Sequence, residues 1–182
     1  LLLAPVFLLP ETEATPTGQS VTLRLVQPNM AQSIKIDPVA REANFSSILE
    51  QTRLPLTRDP VDMVIWPETA VPFRLAERAD IRQLIAANLP GKAVLVTGAV
   101  RREGAQYFNS VQVLNHEGDV VAVYDKAHLV PFGEYIPFRD FLPFDPMAGG
   151  VDFSEGPGSQ TLQLEGLPSF SPLICYEAIF PA

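Results

Sequence analysis

The chain has 182 residues, is 47% hydrophobic, and carries a net charge of −8 from 13 Lys and Arg against 21 Asp and Glu. That length supports one domain with a real core, and the apolar content excludes a disordered chain. The acidic balance argues against nucleic acid or an anionic lipid surface met through a basic patch. One cysteine excludes an internal disulfide.

Residues 1–10, Leu1-Leu2-Leu3-Ala4-Pro5-Val6-Phe7-Leu8-Leu9-Pro10, are apolar and uncharged. A bilayer-spanning helix needs about 20 such residues, and no basic segment marks a signal peptide. The stretch reads as the end of a transmembrane helix, with a buried strand or short core helix as the alternative. Residues 11–20 are polar and turn-rich and read as a linker. The domain proper is expected over 21–182.

Residues 21–27 are rich in Val and Leu and predict a strand. Asp37-Pro38 supplies an N-cap and a first-turn proline. In the helix that follows, Phe45, Ile48, Leu49 and Thr52 share one face, and Pro55 ends it. Residues 63–66 predict a short strand buried on both faces. Residues 75–89 predict a second helix with Leu84 and Ile85 inward, stopped by Pro90-Gly91. Residues 93–100 form another apolar strand. Residues 110–114 and 120–124 flank Asn115-His116-Glu117-Gly118-Asp119, a hairpin signal. Residues 168–176 contain the last strand. This alternation specifies an α/β domain. Residues 137–160 are rich in Pro and Gly, and so long a loop in a compact domain is usually functional.

Three chemical groups lie at the ends of apolar segments. Glu68 follows Val64-Ile65-Trp66-Pro67, Lys126 follows the 120–124 strand, and Cys175 ends Pro172-Leu173-Ile174. A free cysteine is most often a small buried hydrophobe. As a nucleophile it needs a base for its proton and a donor for the developing oxyanion. Glu68, at the mouth of a core strand, could be the base. Lys126 could be the donor, and an amine beside a thiol favours the thiolate. Glu134, in the same segment as Lys126, could orient that lysine or an amine substrate; otherwise it is a turn residue. His128 could serve a Cys-His pair, and His116 sits in the hairpin turn. The spacing of two histidines and one cysteine offers no metal site, and no nucleotide-binding glycine motif or Gly-x-Ser-x-Gly elbow occurs.

The order Glu68, Lys126, Cys175 in these contexts resembles the carbon-nitrogen hydrolase (nitrilase) superfamily. Within it, Trp66-Pro67-Glu68-Thr69-Ala70-Val71-Pro72, the segment from Tyr124 through Lys126-Ala127-His128-Leu129-Val130-Pro131-Phe132-Gly133-Glu134-Tyr135 to Pro137, and Ile174-Cys175-Tyr176-Glu177 resemble the apolipoprotein N-acyltransferase branch. Val26-Gln27-Pro28-Asn29-Met30 also fits that branch's first strand and loop. The resemblance covers about residues 21–182.

The resemblance implies an α-β-β-α sandwich, here lacking its C-terminal part, and an acyl transfer in two halves without a cofactor. Cys175 would take a fatty acyl chain from a phospholipid as a thioester. It would then pass the chain to the N-terminal amine of the diacylglyceryl-cysteine of an apolipoprotein, at the extracytoplasmic face of the bacterial inner membrane. Glu68 would be the general base and Lys126 the oxyanion stabiliser, with Glu134, Tyr176 and Glu177 supporting the site. Phe138, Phe141 and Phe144 would belong to a lid that dips into lipid, or would simply pack the loop. The chain departs from the branch at Ile36, where Trp is frequent. By itself the chain is expected to be inactive. Two other readings compete: a soluble amidase of the same superfamily that uses the same three residues with water as acceptor, and a binding domain in which Cys175 is inert.

Overall fold

The computed structural model describes residues 20–29, 40–55, 60–137 and 152–180. The 1–10 stretch, nearly all of the linker, Ile36, Asp37-Pro38 and the lid residues Phe138, Phe141 and Phe144 lie outside the described residues. Among the described residues no helix is long and apolar enough to cross a membrane.

The described elements are β1 (Leu23–Leu25), α1 (Arg41–Arg53), β2 (Met63–Ile65), α2 (Ala79–Ala86), β3 (Val94–Glu103), β4 (Gln106–Leu114) and β5 (Val120–Asp125). Short 3-10 turns span Leu75–Glu77 and Cys175–Ile179. The strands form one mixed sheet in the order β1-β2-β3-β4-β5. β1, β2 and β3 are parallel, whereas β3, β4 and β5 are joined as antiparallel hairpins. The expected α/β class stands.

Each face of the sheet is covered differently. The side chains of Val64, Leu95, Ala99 and Leu114 pack with Phe45, Ile48 and Leu49 of α1 and Ile81 and Ile85 of α2. α1 buries the four residues its periodicity marked, Phe45, Ile48, Leu49 and Thr52. On the opposite face Met63, Val96, Val113 and Tyr124 pack against Leu162 and Ile174 from the segment after residue 152. Alternate residues of one strand thus serve two cores, because successive strand side chains point to opposite faces. Removing about 25 cal/mol of cost per Å² of apolar area on both faces is what fixes the strand registers.

Three expectations change in detail. The 75–89 helix is a 3-10 turn followed by α2, separated by Arg78 at φ −127° and ψ 75°. Residues four apart share a helix face, so Ile81 and Ile85 turn inward together and Leu84 is left 43% exposed. β3 and β4 are longer than their apolar cores and meet in a tight hairpin at Gly104, φ +58°. Arg101, Arg102 and Glu103 carry β3 out to a solvated end, where alternation of apolar residues no longer signals a strand. Finally, residues 168–174 form no named strand. They make one isolated bridge, Leu162 with Phe170, because Pro168 and Pro172 lack the N–H that a ladder requires.

Candidate active site

Glu68 is placed by its neighbours in sequence. Trp66 is 3% exposed, its indole N–H donates to Thr52 Oγ1 at 2.9 Å, and its ring meets Phe45 edge-on. The backbone then hugs β3: Trp66 N–H donates to Val96 O, Gly98 N–H to Pro67 O, and Val71 N–H to Gly98 O. Thr69 completes the turn at φ +51°. Gly98 makes this approach possible, since a Cβ there would lie 2.6 Å from Glu68 Cα and 2.5 Å from Thr69 N.

A buried polar network grows from that point. Asn109 of β4 uses one amide nitrogen twice, donating to Glu68 Oε1 at 2.8 Å and to Glu134 Oε1 at 2.9 Å. The other oxygen of Glu134 accepts from Lys126 Nζ at 2.8 Å and from Val130 N–H at 2.9 Å. Lys126 and Glu134 are 1% and 6% exposed. Lys126 continues the register of β5, with its N–H donating to Asn109 O. Glu134 is brought inward by a tight turn in which Phe132 takes φ +63° and Phe132 N–H donates to Tyr135 O. Glu134 is thus a turn residue and also the ion-pair partner of Lys126. Burying this ion pair is affordable only because the remaining acceptor sites are filled.

Cys175 sits on a different support. Its backbone has φ +52°, a left-handed conformation that costs a non-glycine residue about 1–2 kcal/mol, at the start of a 3-10 turn. The side chain is exposed. Two residues on, Glu177 is 2% exposed and collects four donors. Oε1 accepts from the Tyr124 hydroxyl at 2.8 Å and from Ala127 and His128 N–H at 2.7 and 3.1 Å; Oε2 accepts from Ile174 N–H at 2.9 Å. Burial alone would raise the Glu177 carboxyl, but the N–H groups of Ile174, His128 and Ala127 and the Tyr124 hydroxyl outweigh it and hold it below its ordinary value. Burial, then Glu177, pushes the Tyr124 phenol up to about 12, so it remains a donor. Glu177 thereby ties the Cys175 turn to the end of β5 where Lys126 lies.

Parts of both supports line one cavity of about 630 Å³, although the buried Lys126 and Glu134 are not among its lining residues. Glu68, Asn109 and Cys175 line it with Gly98, Phe170 and Ile174, among other mainly apolar residues. Tyr176 is 42% exposed and packs edge-on against Phe180. His128 stacks on Phe180 with ring centroids 4.4 Å apart, and its Nδ1 lies 4.0 Å from Glu177. His116 is exposed in the hairpin. Among the described residues no group of His, Cys, Asp and Glu could hold a metal ion.

Asn109 and Tyr124 were missed as site residues by the sequence reading. A signal for Asn109 exists: it shares the two-residue period of Val111 and Val113 in β4, so a polar side chain falls on an apolar face. The run that predicts the strand starts only at residue 110, one position after Asn109.

The carbon-nitrogen hydrolase family model matches residues 22–182. The chain belongs to this family. The chain is similar to the apolipoprotein N-acyltransferase of Allorhizobium ampelinum, 42% identical over 178 residues, which cover 91% of this chain and 34% of that protein. It is similar to the apolipoprotein N-acyltransferase of Rhodopseudomonas palustris, 39% identical over 181 residues, covering 89% and 33%. The chain thus spans about a third of the length of these curated relatives. Among solved structures, an N-terminal amidase shares the fold with a TM-score of 0.52 at 15% identity, over 87% of this chain and 40% of that one.

Proposed function

We propose that the protein is an apolipoprotein N-acyltransferase whose reaction runs through Cys175. The observation that carries this reading is the 42% identity, over 91% of the chain, to a relative of that name. Glu68 and Cys175 on the wall of one largely apolar cavity agree with it.

In the first half-reaction the Cys175 sulfur attacks the ester carbonyl of a phospholipid while Glu68 takes the thiol proton. Lys126 stabilises the tetrahedral oxyanion. The C–O bond breaks, the lysophospholipid oxygen takes the proton back from Glu68, and a thioester remains on Cys175. In the second half the α-amine of a diacylglyceryl-cysteine attacks the thioester. The C–N bond forms, the C–S bond breaks, and the amine proton returns to sulfur by way of Glu68. Glu134 orients Lys126, and Glu177 orients the Cys175 turn, with Tyr176 beside it. The substrates place the reaction at the extracytoplasmic face of a bacterial inner membrane, where the Phe138, Phe141 and Phe144 segment would act as a lipid-facing lid. No cofactor is required by these steps.

The test uses the full-length protein in membranes, given phospholipid and no acceptor. A hydroxylamine-labile fatty-acyl adduct on the peptide holding Cys175, absent in Cys175→Ala and Glu68→Ala, is the expected result. An unmodified Cys175, with ammonia released from small amides, would replace this reading by a hydrolase that uses water.

A further inference from the structure

Asn109 is 5% exposed, and its Oδ1 has no hydrogen-bond partner. An orphaned buried acceptor is costly and needs a reason. Reversing the amide would turn Oδ1 toward the Glu68 and Glu134 carboxylates, 2.8 and 2.9 Å from the present nitrogen. Two acceptors facing one position require a donor, so the nitrogen stays and the oxygen goes unpaired. The side chain satisfies two acidic groups at its own expense.

Those two groups belong to different parts of the site. Glu134 is the ion-pair partner of Lys126; Glu68 follows β2 and lines the cavity with Cys175. Among the described residues Asn109 is the side chain that bridges them. Its backbone serves the same junction, because its carbonyl receives the Lys126 N–H. β4 is the middle strand of the antiparallel half of the sheet, so Asn109 is carried on a rigid element, whereas Glu68 and Glu134 sit in turns.

We propose that Asn109 is a positioning residue that fixes the Glu68 carboxylate relative to the Lys126–Glu134 pair through one doubly shared N–H₂ group. This rests on the reading of Glu68 as the base. The charged groups that meet the amide are Glu68 after β2 and Glu134 in the 131–135 turn, and Glu134 in turn holds Lys126 beyond β5. Without the bridge the Glu68 carboxylate loses its link to the Lys126–Glu134 pair. The base then spends less time where the thiol proton is delivered, so kcat falls while phospholipid binding does not change.

The experiment measures thioester formation on Cys175 in the full-length protein in membranes, normalised to the thiol that iodoacetamide can alkylate, across phospholipid concentration and pH. Two variants are compared. Asn109→Leu removes the donors at similar volume and should lower kcat at least tenfold with KM unchanged at every pH. Asn109→Asp keeps the shape and donates only while its new carboxyl is protonated. Its rate relative to wild type should therefore fall as pH rises, a dependence that a purely structural role would not create. If Asn109→Leu fails to fold, Asn109→Asp alone decides. An Asn109→Asp rate that parallels wild type across pH, or an Asn109→Leu variant with wild-type kcat, overturns the proposal. Absence of a thioester in the wild type would instead overturn the reading of the reaction, which separates the two failures.

Discussion

The Tyr124 hydroxyl donates to Glu177 Oε1 at 2.8 Å, and this bond joins the end of β5 to the turn that carries Cys175. The carboxylate it reaches is almost sealed from solvent and holds three backbone N–H groups as well. The exposed position of Cys175 is thus secured from beneath by a buried anion.

Glu177→Gln keeps the volume but presents an N–H₂ where a donor already points. It should destabilise the folded protein by about 3 kcal/mol, the scale of a lost hydrogen bond to a charged group with a buried group left unpaired. Thioester formation should fall with it. Acidification offers a second check. Because the folded carboxyl lies below its ordinary value of 4.5, its stabilisation is full above that value and is lost as pH falls toward the lowered one. Thermal unfolding followed against pH should show wild type losing this increment below pH 4.5, and Glu177→Gln lacking that loss.

Glu134→Gln should leave the 1% exposed Lys126 ammonium without its counter-charge. Breaking a buried pair from one side costs about 3–5 kcal/mol. On the proposed role of Lys126, thioester formation should also drop by about 10²–10³-fold. Lys126→Met with Glu134→Leu removes both charges. It should recover stability relative to Glu134→Gln in denaturant unfolding but recover no activity.

Cys175 carries backbone strain that a glycine would not feel. Cys175→Gly should raise stability by about 1 kcal/mol, the relief of a left-handed residue, while abolishing the acyl adduct. A melting temperature unchanged or lowered against Cys175→Ala would show that the φ of +52° carries no cost.

Gly98→Ala tests the approach of the Glu68 segment to β3. A methyl group 2.6 Å from Glu68 Cα must push the turn outward, at a cost of about 1–3 kcal/mol for overpacking. Activity should fall by more than stability explains, because the displaced backbone carries the proposed base. Thioester rate and unfolding midpoint measured on the same preparation give that comparison.

Much of the site was legible because its residues sit where short apolar segments end. Glu68, Lys126 and Cys175 each follow such a run; β2 and β5 point the same way, so Glu68 and Lys126 fall at one end of the sheet, and the Cys175 turn shares a cavity with Glu68 there. α1 was readable down to its buried face, since Phe45, Ile48, Leu49 and Thr52 repeat with the helical period. The second helix differs from expectation at Leu84, which is exposed, because three adjacent apolar residues do not say which of them faces inward. Apolar composition suggests a strand over 168–176 that does not form, because Pro168 and Pro172 lack the donors a ladder needs.

The sequence by itself determined the α/β order and the family, and it singled out the acid, amine and thiol proposed to carry the chemistry, since each follows from local pattern and residue type. Only the tertiary structure decided what those groups touch. That Asn109 bridges Glu68 and Glu134, that Glu134 neutralises Lys126, and that Glu177 anchors the Cys175 turn through Tyr124 are contacts between residues 8 to 53 positions apart. Such pairings depend on strand register and on the angle of each turn, which are set by packing both faces of the sheet at once and leave no periodic trace in the chain.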